Sequence, residues 1–455
     1  MNRTLLLLSA FILTLQLSSC SIDDSLNNTP NDVLESQLAT KDGVLGLLVS
    51  VQTMTGDFYS ADRSRIATMW TWQMCAPHGL GRAQAESWDN YGLSEDGPPN
   101  DMWLYAYKAY RNCNDLLRFV KPTYKYTGDP VADPNIAALI KGIAHFHKGL
   151  IIGEVAALWG SCPVEIPNLD PAKFMTQAEA YAAAQRFLDT ALTEFVDGSI
   201  GQDLNFGGVA AQWKGAAHSL KARYYLHVSD YAKALAEAKL GISSAGGTYF
   251  AFYSETIREY SPWGHWSIEE GNTIRLEKNL VDSLKSEAGD RRLAEFVTPN
   301  SKGNYQGYAA HGEAVGMDSD ALEADLTSVM NKYNKHGDHF PMISYQENVL
   351  IKAECEAETG DLAGAVTDVN IIRTAAGLPA YASTDKNAII AQILKQKYMQ
   401  LFLEGQAYHD MRRRKTLPDP QPGSNIRIIY PINEKSTNPY TPANSDALVK
   451  PLSAY

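Results

Sequence analysis

The chain has 455 residues, of which 45% are hydrophobic and 20% are charged, and this composition is ordinary for a globular protein with a large core. Lys and Arg total 40 against 52 acidic residues, so the formal net charge is −12. A chain this acidic has no overall positive field to attract phosphates, and we therefore exclude nucleic acid as an expected partner.

The N-terminus resembles an export signal that ends in a lipid-attachment site. Arg3 precedes an apolar run from Leu5 to Leu17, which is too short to cross a bilayer but suits the core of a signal peptide. The sequence LSSC at the end of this run resembles a bacterial lipobox. We predict a signal peptide over residues 1–19 and lipidation of Cys20, because several acyl chains give stable anchoring.

A polar tether over residues 20–32 follows, and its composition gives it little that folds alone. Asp23 and Asp24 resemble the acidic export signal of surface lipoproteins in Bacteroides-like bacteria, although solubility alone gives the same pattern. No later segment approaches the roughly 18 apolar residues of a membrane span, so we predict membrane attachment through the lipid anchor only. Residues 33–455 are expected to form a single domain.

Helical periodicity dominates the middle of the chain. Apolar residues recur at helical spacing over about 135–159, and an alanine-rich helix is predicted over about 176–196. The clearest unit is Gln212–Ile242, where aromatic residues and alanines line two helical segments separated by a turn at Ser229 and Asp230. Small residues at such a contact let antiparallel helices approach closely, and the pattern resembles a tetratricopeptide repeat.

The same pattern returns near the C-terminus. Apolar residues over 349–372 flank a turn at Gly360, and a last helix is predicted over about 387–413. Because such repeats bury their apolar faces only by stacking, we expect one contiguous scaffold from repeats at about 135–245 and 345–415. The predicted fold class is mainly α, a tetratricopeptide-like helical-repeat scaffold with long irregular loops and few short strands.

Two segments lack this periodicity. Residues of about 54–112 and 246–345 are rich in Gly, Pro, Tyr and Trp, and we predict that they form long loops carried by the scaffold. Long irregular segments in a compact protein are usually functional or disordered, and these are too aromatic for disorder. We therefore predict that both are binding segments.

Four cysteines follow Cys20 along the chain, at Cys75, Cys113, Cys162 and Cys355. Their wide spacing does not reveal a pairing, and an oxidising compartment would permit disulfides. Buried free thiols are the interpretation that we favour.

Several strings near the C-terminus carry a family resemblance. They are YQENVLIKAE at residues 345–354, LFLEGQAYHDMRR at 401–413 and IYPINE at 429–434. Together with the lipobox, they make the chain similar to the SusD/RagB family of nutrient-binding lipoproteins over nearly the whole mature sequence.

The resemblance implies a tetratricopeptide-like scaffold, a binding face built from loops, and a location in the outer membrane that faces the cell exterior. It also implies that the protein binds oligosaccharides and passes them to a SusC-like TonB-dependent transporter. No motif of the family transfers the ligand-binding residues, because these lie in its least uniform loops.

The candidate ligand contacts are aromatic residues and their polar neighbours in the two irregular segments. Sugars present flat C–H surfaces that stack on aromatic rings, while amides and carboxylates bind their hydroxyl groups. We predict ligand contacts at Trp88, Asp89, Asn90, Tyr91, Trp263, Trp266, Tyr305 and Tyr308. Ordinary packing of these rings is the competing interpretation, and it is preferred for Trp70 and Trp72.

The sequence contains no GxSxG, HExxH, P-loop or GxGxxG motif, so we predict that the protein is not an enzyme and has no cofactor. No metal site is predicted, since His336, His339 and Asp338 are more simply solvated polar residues of a loop.

Two alternatives remain open at this point. Peptides are a second ligand class for the same delivery role. A lipid-anchored glycoside hydrolase would instead need two carboxylates about 5–10 Å apart across a sugar cleft. The carboxylates nearest the aromatic positions are Glu86, Asp89, Glu269 and Glu270.

Overall fold

The computed structural model describes residues 35–76, 83–167, 170–269, 273–309, 329–418 and 427–444. The described residues are mainly helical, which confirms the predicted fold class. The helices of the first half are α1 (Glu35–Leu38), α2 (Lys41–Ser60), α3 (Asp62–Trp70), α4 (Ala83–Asp89), α5 (Pro98–Phe119), α6 (Ala132–Trp159), α7 (Gln177–Glu194), α8 (Ala210–His227) and α9 (Tyr231–Ala238). The helices of the second half are α10 (Pro262–Glu269), α11 (Lys278–Lys285), α12 (Arg292–Phe296), α13 (Tyr345–Thr359), α14 (Leu362–Ala375), α15 (Lys386–Gln400), α16 (Gln406–Arg414) and α17 (Ile432–Thr437). The predicted signal peptide, the lipidated Cys20 and the tether lie outside the described residues.

Short strands pair into four two-stranded antiparallel sheets within the described residues. β1 (Met74–Cys75) pairs with β5 (Arg275–Leu276), and β2 (Cys162–Pro163) pairs with β3 (Phe174–Met175). β4 (Tyr249–Ala251) pairs with β8 (Phe340–Ile343), and β6 (Val297–Thr298) pairs with β7 (Val329–Met330). None of these pairs is large enough to be stable alone, so each depends on the helices that it contacts.

The helices form one continuous stack around α6. This helix packs against α5, α7 and α8, while α8 also packs against α9 and α13, and α13 packs against α14 and α15. By length and composition α6 is apolar enough to cross a membrane, but 78% of its most apolar window is buried inside the protein. It is therefore the central helix of the scaffold, and its burial on most sides explains why it has little polar face.

The two predicted helical hairpins are present. α8 and α9 are joined through Ser229, whose φ of 59° is left-handed, and the Asp230 side chain accepts a hydrogen bond from the backbone N–H of Lys233. α13 and α14 are joined through Gly360, whose φ is 98°, and the Asp361 side chain caps α14 in the same way. Each hairpin thus combines a left-handed residue with an Asp N-cap, which fixes where the second helix begins.

The prediction of one last helix over about 387–413 is wrong, because the chain forms two helices there, α15 and α16. Leu403 and Gly405 adopt left-handed φ values of 71° and 79° between them. A Cβ at Gly405 would lie 2.8 Å from the guanidinium of Arg63, which donates a hydrogen bond to the carbonyl oxygen of Glu404. This close approach of α3 interrupts a helix that periodicity alone predicts to be continuous.

The structure also corrects the prediction of long loops over residues 54–112. α2 extends to Ser60, and α3, α4 and α5 cover most of the remainder, so this segment belongs to the helical framework. Most of its large apolar side chains are buried in the main core because these helices pack on the stack. In its described part, the segment 246–345 does consist of short elements and irregular connections, as predicted.

Buried charges connect the helices at the centre of the stack. Glu154 of α6 lies 2.8 Å from Arg63 of α3 and 3.3 Å from Arg223 of α8, and all three side chains are buried. Arg223 also makes a 2.6 Å ion pair with Glu347 of α13. Because each of these charges has a buried partner, the loss of any one would leave another uncompensated.

The cysteines at positions 75, 113, 162 and 355 are free and buried, which agrees with the interpretation that we favoured. Burial raises the pKa of the Cys162 thiol to about 12, and it also raises the pKa of the Cys113 thiol. Thiols of this kind form little thiolate and are therefore unreactive core residues.

Candidate ligand-binding site

An open cleft lies where β4 and the loop after it cross α2. Its volume is about 370 Å³. We name it the α2–β4 cleft, and its lining residues are Gln52, Thr53, Asp57, Leu204, Asn205, Phe250, Ala251, Phe252, Tyr253, Ser254, Arg258, Glu259 and Tyr260. Aromatic rings, carboxylates, amides and a guanidinium therefore meet in one concavity, which is lined largely by the two segments that the sequence assigns to binding.

Two close contacts hold β4 against the scaffold at this cleft. Gly56 of α2 leaves no room for a side chain, since a Cβ there would lie 2.8 Å from the Cβ of Ala251. The amide of Asn205 donates to the carbonyl oxygen of Phe250 at 3.1 Å and accepts from its backbone N–H at 2.8 Å. These contacts fix β4 firmly, so the rings that follow it are presented from a rigid support.

All four aromatic residues that line this cleft keep some exposed surface, and Phe252 and Tyr260 are the two whose rings contact a histidine of the loop before β8 most closely. Phe252 is 37% exposed, and its ring contacts the His339 ring with the centroids 4.6 Å apart. The Tyr260 ring is stacked on His336 with the centroids 3.7 Å apart and an angle of 8° between the planes. Each ring therefore packs against an imidazole, Phe252 edge-on and Tyr260 face to face. Both side chains retain exposed surface that a ligand can cover.

The polar side of the cleft is formed by α2 and by the loop after β4. Burial raises the pKa of Asp57 above its usual value, and a hydrogen bond from the Tyr253 hydroxyl at 3.5 Å partly opposes this shift. Ser254 donates to the carboxylate of Glu259 at 2.6 Å. Arg258 lies in an exposed turn with a left-handed φ of 74°. The cleft therefore offers both donors and acceptors to the hydroxyl groups of a ligand.

A second cleft, of about 510 Å³, lies between α5 and α17. We name it the α5–α17 cleft, and its lining residues are Asn100, Trp103, Leu104, Tyr107, Lys108, Arg111, Pro163, Ile166, Pro167, Asp170, Pro171, Ala172, Asn433, Glu434, Thr437 and Asn438. It exposes aliphatic side chains, since Leu104 is 44% and Ile166 is 38% exposed. The Trp103 ring is not available to a ligand, because it is stacked on Phe174 and is only 6% exposed.

The sequence matches the SusD-like family model, which is described as starch-binding associating with outer membrane, over residues 51–426. This range is more than half of the chain. The chain belongs to the SusD-like family. Every residue that lines the α2–β4 cleft falls within the matched range.

Solved structures with the same fold have low sequence identity to this SusD-like chain. A SusD/RagB family protein from Bacteroides thetaiotaomicron VPI-5482 is 18% identical with a TM-score of 0.69, and the match covers 90% of this chain and 98% of that protein. A SusD superfamily protein from Bacteroides vulgatus ATCC 8482 is 16% identical with a TM-score of 0.67 and coverages of 93% and 99%. A chitin-binding protein is 19% identical with a TM-score of 0.66 and coverages of 87% and 95%. No curated protein matches the sequence. At these identities the likeness shows the fold alone.

The structure buries most of the side chains that we predicted to contact a ligand in this SusD-like chain, which argues against contact at those positions. The buried positions are Trp88, Asp89, Tyr91, Trp263 and Tyr308. For the two tryptophans the physical reason is packing on α3: the Trp263 indole donates to Ser64 at 3.0 Å, and the Trp70 indole donates to the carbonyl oxygen of Trp88 at 2.8 Å. Trp88 and Trp263 are 3% and 1% exposed, so a ligand cannot stack on either ring.

The remaining predicted contacts have exposed surface. Asn90 is exposed, but its side-chain amide donates to the carbonyl oxygen of Glu86 at 2.8 Å and closes the end of α4. Trp266 and Tyr305 are partly exposed, and ligand contact there stays a prediction. The structure does bring the two predicted segments together, since the ring centroids of Trp88 and Trp266 are 6.0 Å apart.

Neither Phe252 nor Tyr260 was among the ligand contacts predicted from the sequence. The missed signal is the string YFAFY at residues 249–253, because alternate residues of a strand face opposite sides. Tyr249 and Ala251 point into the core, whereas Phe252 points out into the cleft. Tryptophan is a poor indicator of the site here, because the core of this chain buries most of its tryptophan rings.

Proposed function

We propose that the protein is a surface lipoprotein of the outer membrane that binds oligosaccharides and passes them to a SusC-like TonB-dependent transporter. The observation that carries this proposal is membership of the SusD-like family, which is described by starch binding and association with the outer membrane. Likeness of fold to a chitin-binding protein supports a sugar ligand. The lipid anchor is Cys20, as the sequence predicts.

The α2–β4 cleft is the proposed sugar site. The open sides of Phe252 and Tyr260 offer stacking surfaces for the C–H faces of sugar rings, and Asp57, Arg258 and Glu259 offer partners for hydroxyl groups. The cleft volume of about 370 Å³ lies within the usual range for small-molecule sites, so it holds a segment of a glycan whose remainder extends into solvent.

Calorimetric titration with a panel of oligosaccharides tests this site. Phe252→Ala should weaken binding of the best ligand at least about tenfold, because an anchoring ring contributes roughly 2 kcal/mol. Tyr105→Ala is a matched control, since Tyr105 is 42% exposed and lines neither cleft. An equal loss in both variants, or a wild-type protein that binds no oligosaccharide, would contradict the proposal.

The anchor and the transporter partner are tested in cells. Cys20→Ala should move the protein from the membrane fraction to the soluble fraction, since no acyl chain would then be attached. Antibody labelling of intact cells tests exposure to the exterior. Co-purification of a TonB-dependent barrel in mild detergent tests delivery, and a protein that never associates with such a barrel would contradict that part of the proposal.

Peptides are the second ligand class, and the α5–α17 cleft is the observation that favours them. Its exposed Leu104 and Ile166 suit apolar side chains better than sugar hydroxyls. If this cleft binds peptides, Leu104→Asp should abolish peptide binding and leave oligosaccharide binding unchanged. Binding of peptides alone would overturn the sugar ligand and leave the delivery role intact.

We propose binding without chemical change of the ligand. Asp89, one of the carboxylates considered for a glycoside hydrolase, is buried and accepts a hydrogen bond from the backbone N–H of Ala76 at 3.1 Å, so a substrate cannot reach it. Glu270 lies outside the described residues. Incubation with the bound glycan, followed by a reducing-end assay, should give no signal above that of the glycan alone.

A further inference from the structure

We propose that His265, Glu269 and His336 bind a divalent transition-metal ion of the zinc class. One ligand atom from each residue lies within 4.8 Å of the others. His265 and Glu269 are four residues apart on α10, a spacing that places two side chains on one face of a helix. His336 comes from the loop before β8, so the site joins two segments that are remote in sequence.

The backbone is built to bring the His336 loop onto α10. A Cβ at Gly264 would lie 2.0 Å from the carbonyl oxygen of Lys335, so only glycine permits this approach. The backbone N–H of Ser261 donates to the carbonyl oxygen of His336 at 2.7 Å. The stacking of Tyr260 on the imidazole then fixes the orientation of the His336 ring. The ring is therefore held in place before any ion binds.

The distances around His336 fit two ligands of one ion better than a hydrogen bond. Its Nε2 lies 3.5 Å from a carboxylate oxygen of Glu269, and among the described residues this buried nitrogen has no hydrogen-bond partner. Two other His–Glu pairs of the chain, His145–Glu194 and His218–Glu237, close to 2.6 Å. Donor atoms on a tetrahedral zinc ion, each about 2.0–2.1 Å from the metal, are about 3.3 Å apart. The open His336–Glu269 spacing matches that separation.

The donor set selects the class of metal. Two imidazoles and one carboxylate, with a fourth position left for water, are typical ligands of Zn²⁺, whereas Ca²⁺ and Mg²⁺ prefer oxygen ligands. Nδ1 of His336 faces the carboxylate of Glu255 at 3.7 Å, and such a carboxylate orients a metal-bound imidazole. His265 and Glu269 are exposed, so an ion can enter from solvent.

The site borders the proposed sugar site. Tyr260 lines the α2–β4 cleft and is stacked on His336, so a bound ion would hold one wall of that cleft against α10. This consequence rests on the proposed function, whereas metal binding itself does not.

The test uses the full-length chain, purified without a polyhistidine tag and stripped with EDTA. Calorimetric titration should show one Zn²⁺ bound per chain and no Mg²⁺ bound, and zinc should raise the melting temperature. Glu269→Gln and His265→Ala should each weaken zinc binding at least about tenfold. Because both positions are exposed, these variants should fold, which circular dichroism checks.

His218→Ala is the matched control, because it removes a histidine that is paired with a single glutamate. It should leave zinc binding unchanged. A chain that binds no zinc, or that binds it equally well in the Glu269→Gln and His265→Ala variants, overturns the metal site. Oligosaccharide binding is measured separately on the metal-free chain in EDTA. Sugar binding that persists there while zinc binding is absent would overturn the metal site and leave the proposed function intact.

Discussion

Two groups of aromatic side chains in this molecule have similar chemistry and opposite surroundings. Around α3, the rings of Trp70, Trp88 and Trp263 are buried, and the indoles of Trp70 and Trp263 donate hydrogen bonds inside the protein. In the α2–β4 cleft, Phe252 and Tyr260 retain open surface. The role of a ring therefore depends on whether a helix covers it, and not on the residue type alone.

The difference between the two groups is energetic. A tryptophan or tyrosine buries about 150–250 Å² on folding, and this burial stabilises the folded state by several kcal/mol. A ring that remains partly exposed contributes less to folding, but a ligand can still remove its surface from water. We therefore expect substitutions in the first group to change stability and substitutions in the second group to change binding.

The largest expected effect is at Trp263. Trp263→Ala should lower the free energy of unfolding by about 3–5 kcal/mol, because it leaves a cavity at a ring that is 1% exposed and removes the bond to Ser64. Denaturant titration followed by circular dichroism measures the loss. A change below about 1 kcal/mol would show that the ring is not a core residue, and the two groups of rings would then not differ in the way described.

The scaffold was predictable because its signals are local. The turns at Ser229 and Gly360 and the Asp caps beside them lie within a few residues of the helices that they limit. The failures have tertiary causes: Arg63 interrupts the last helix at Gly405, and α3 covers Trp88. No local pattern around these positions reports which distant helix will approach them.

The candidate site was predictable only as a segment. The composition of residues 246–345 indicates binding, and the α2–β4 cleft is built largely from it. Which aromatic side chains face the cleft depends on the orientation of the three-residue strand β4. The contact of Gly56 with Ala251 sets that orientation. The approach of His336 to Glu269 likewise depends on Gly264, which is far from His336 in sequence.

Acid should destabilise the scaffold by the next largest amount. Burial lowers the pKa of His147 to about 4, and burial together with nearby cationic side chains lowers the pKa values of His227 and His409 well below their usual value. Above about pH 7.5 these histidines are neutral in both the folded and the unfolded chain, so they do not make stability depend on pH. Below about pH 6.5 they are protonated in the unfolded chain but stay neutral in the folded protein, and this difference favours unfolding. Their unfavourable contribution grows as the pH falls from about 6.5 to 4, and His147 alone should lower the free energy of unfolding by about 1–3 kcal/mol.

Replacement of His147 isolates its part of this pH dependence. The ring lies 2.6 Å from the Tyr249 hydroxyl and 2.7 Å from the carbonyl oxygen of Ile143, so His147→Gln keeps a polar partner for both. The free energy of unfolding of this variant should fall less steeply than that of the wild type between pH 6.5 and 4. Equal slopes in denaturant titrations across this range would show that His147 does not carry the effect.

The surroundings of Trp266 are intermediate between those of the two groups of rings. Its ring packs against Trp88, and the guanidinium of Arg65 lies 4.2 Å from its centroid, yet the side chain is partly exposed. Trp266→Ala should therefore lower the free energy of unfolding by about 1–2 kcal/mol. It should weaken oligosaccharide binding less than Phe252→Ala does, and the opposite order in calorimetric titrations would move the sugar site to α10.

The smallest expected effect on stability is at Phe252. Phe252→Ala should change the free energy of unfolding by less than about 0.5 kcal/mol, because the ring is 37% exposed and lies at the surface of the protein. The same variant should lose most of its affinity for oligosaccharide. A paired measurement of melting temperature and binding for Phe252→Ala and Trp263→Ala therefore decides whether the two groups of rings differ. If Phe252→Ala destabilises the protein as much as Trp263→Ala does, the cleft ring is a core residue, and its loss of binding would no longer indicate contact with a ligand.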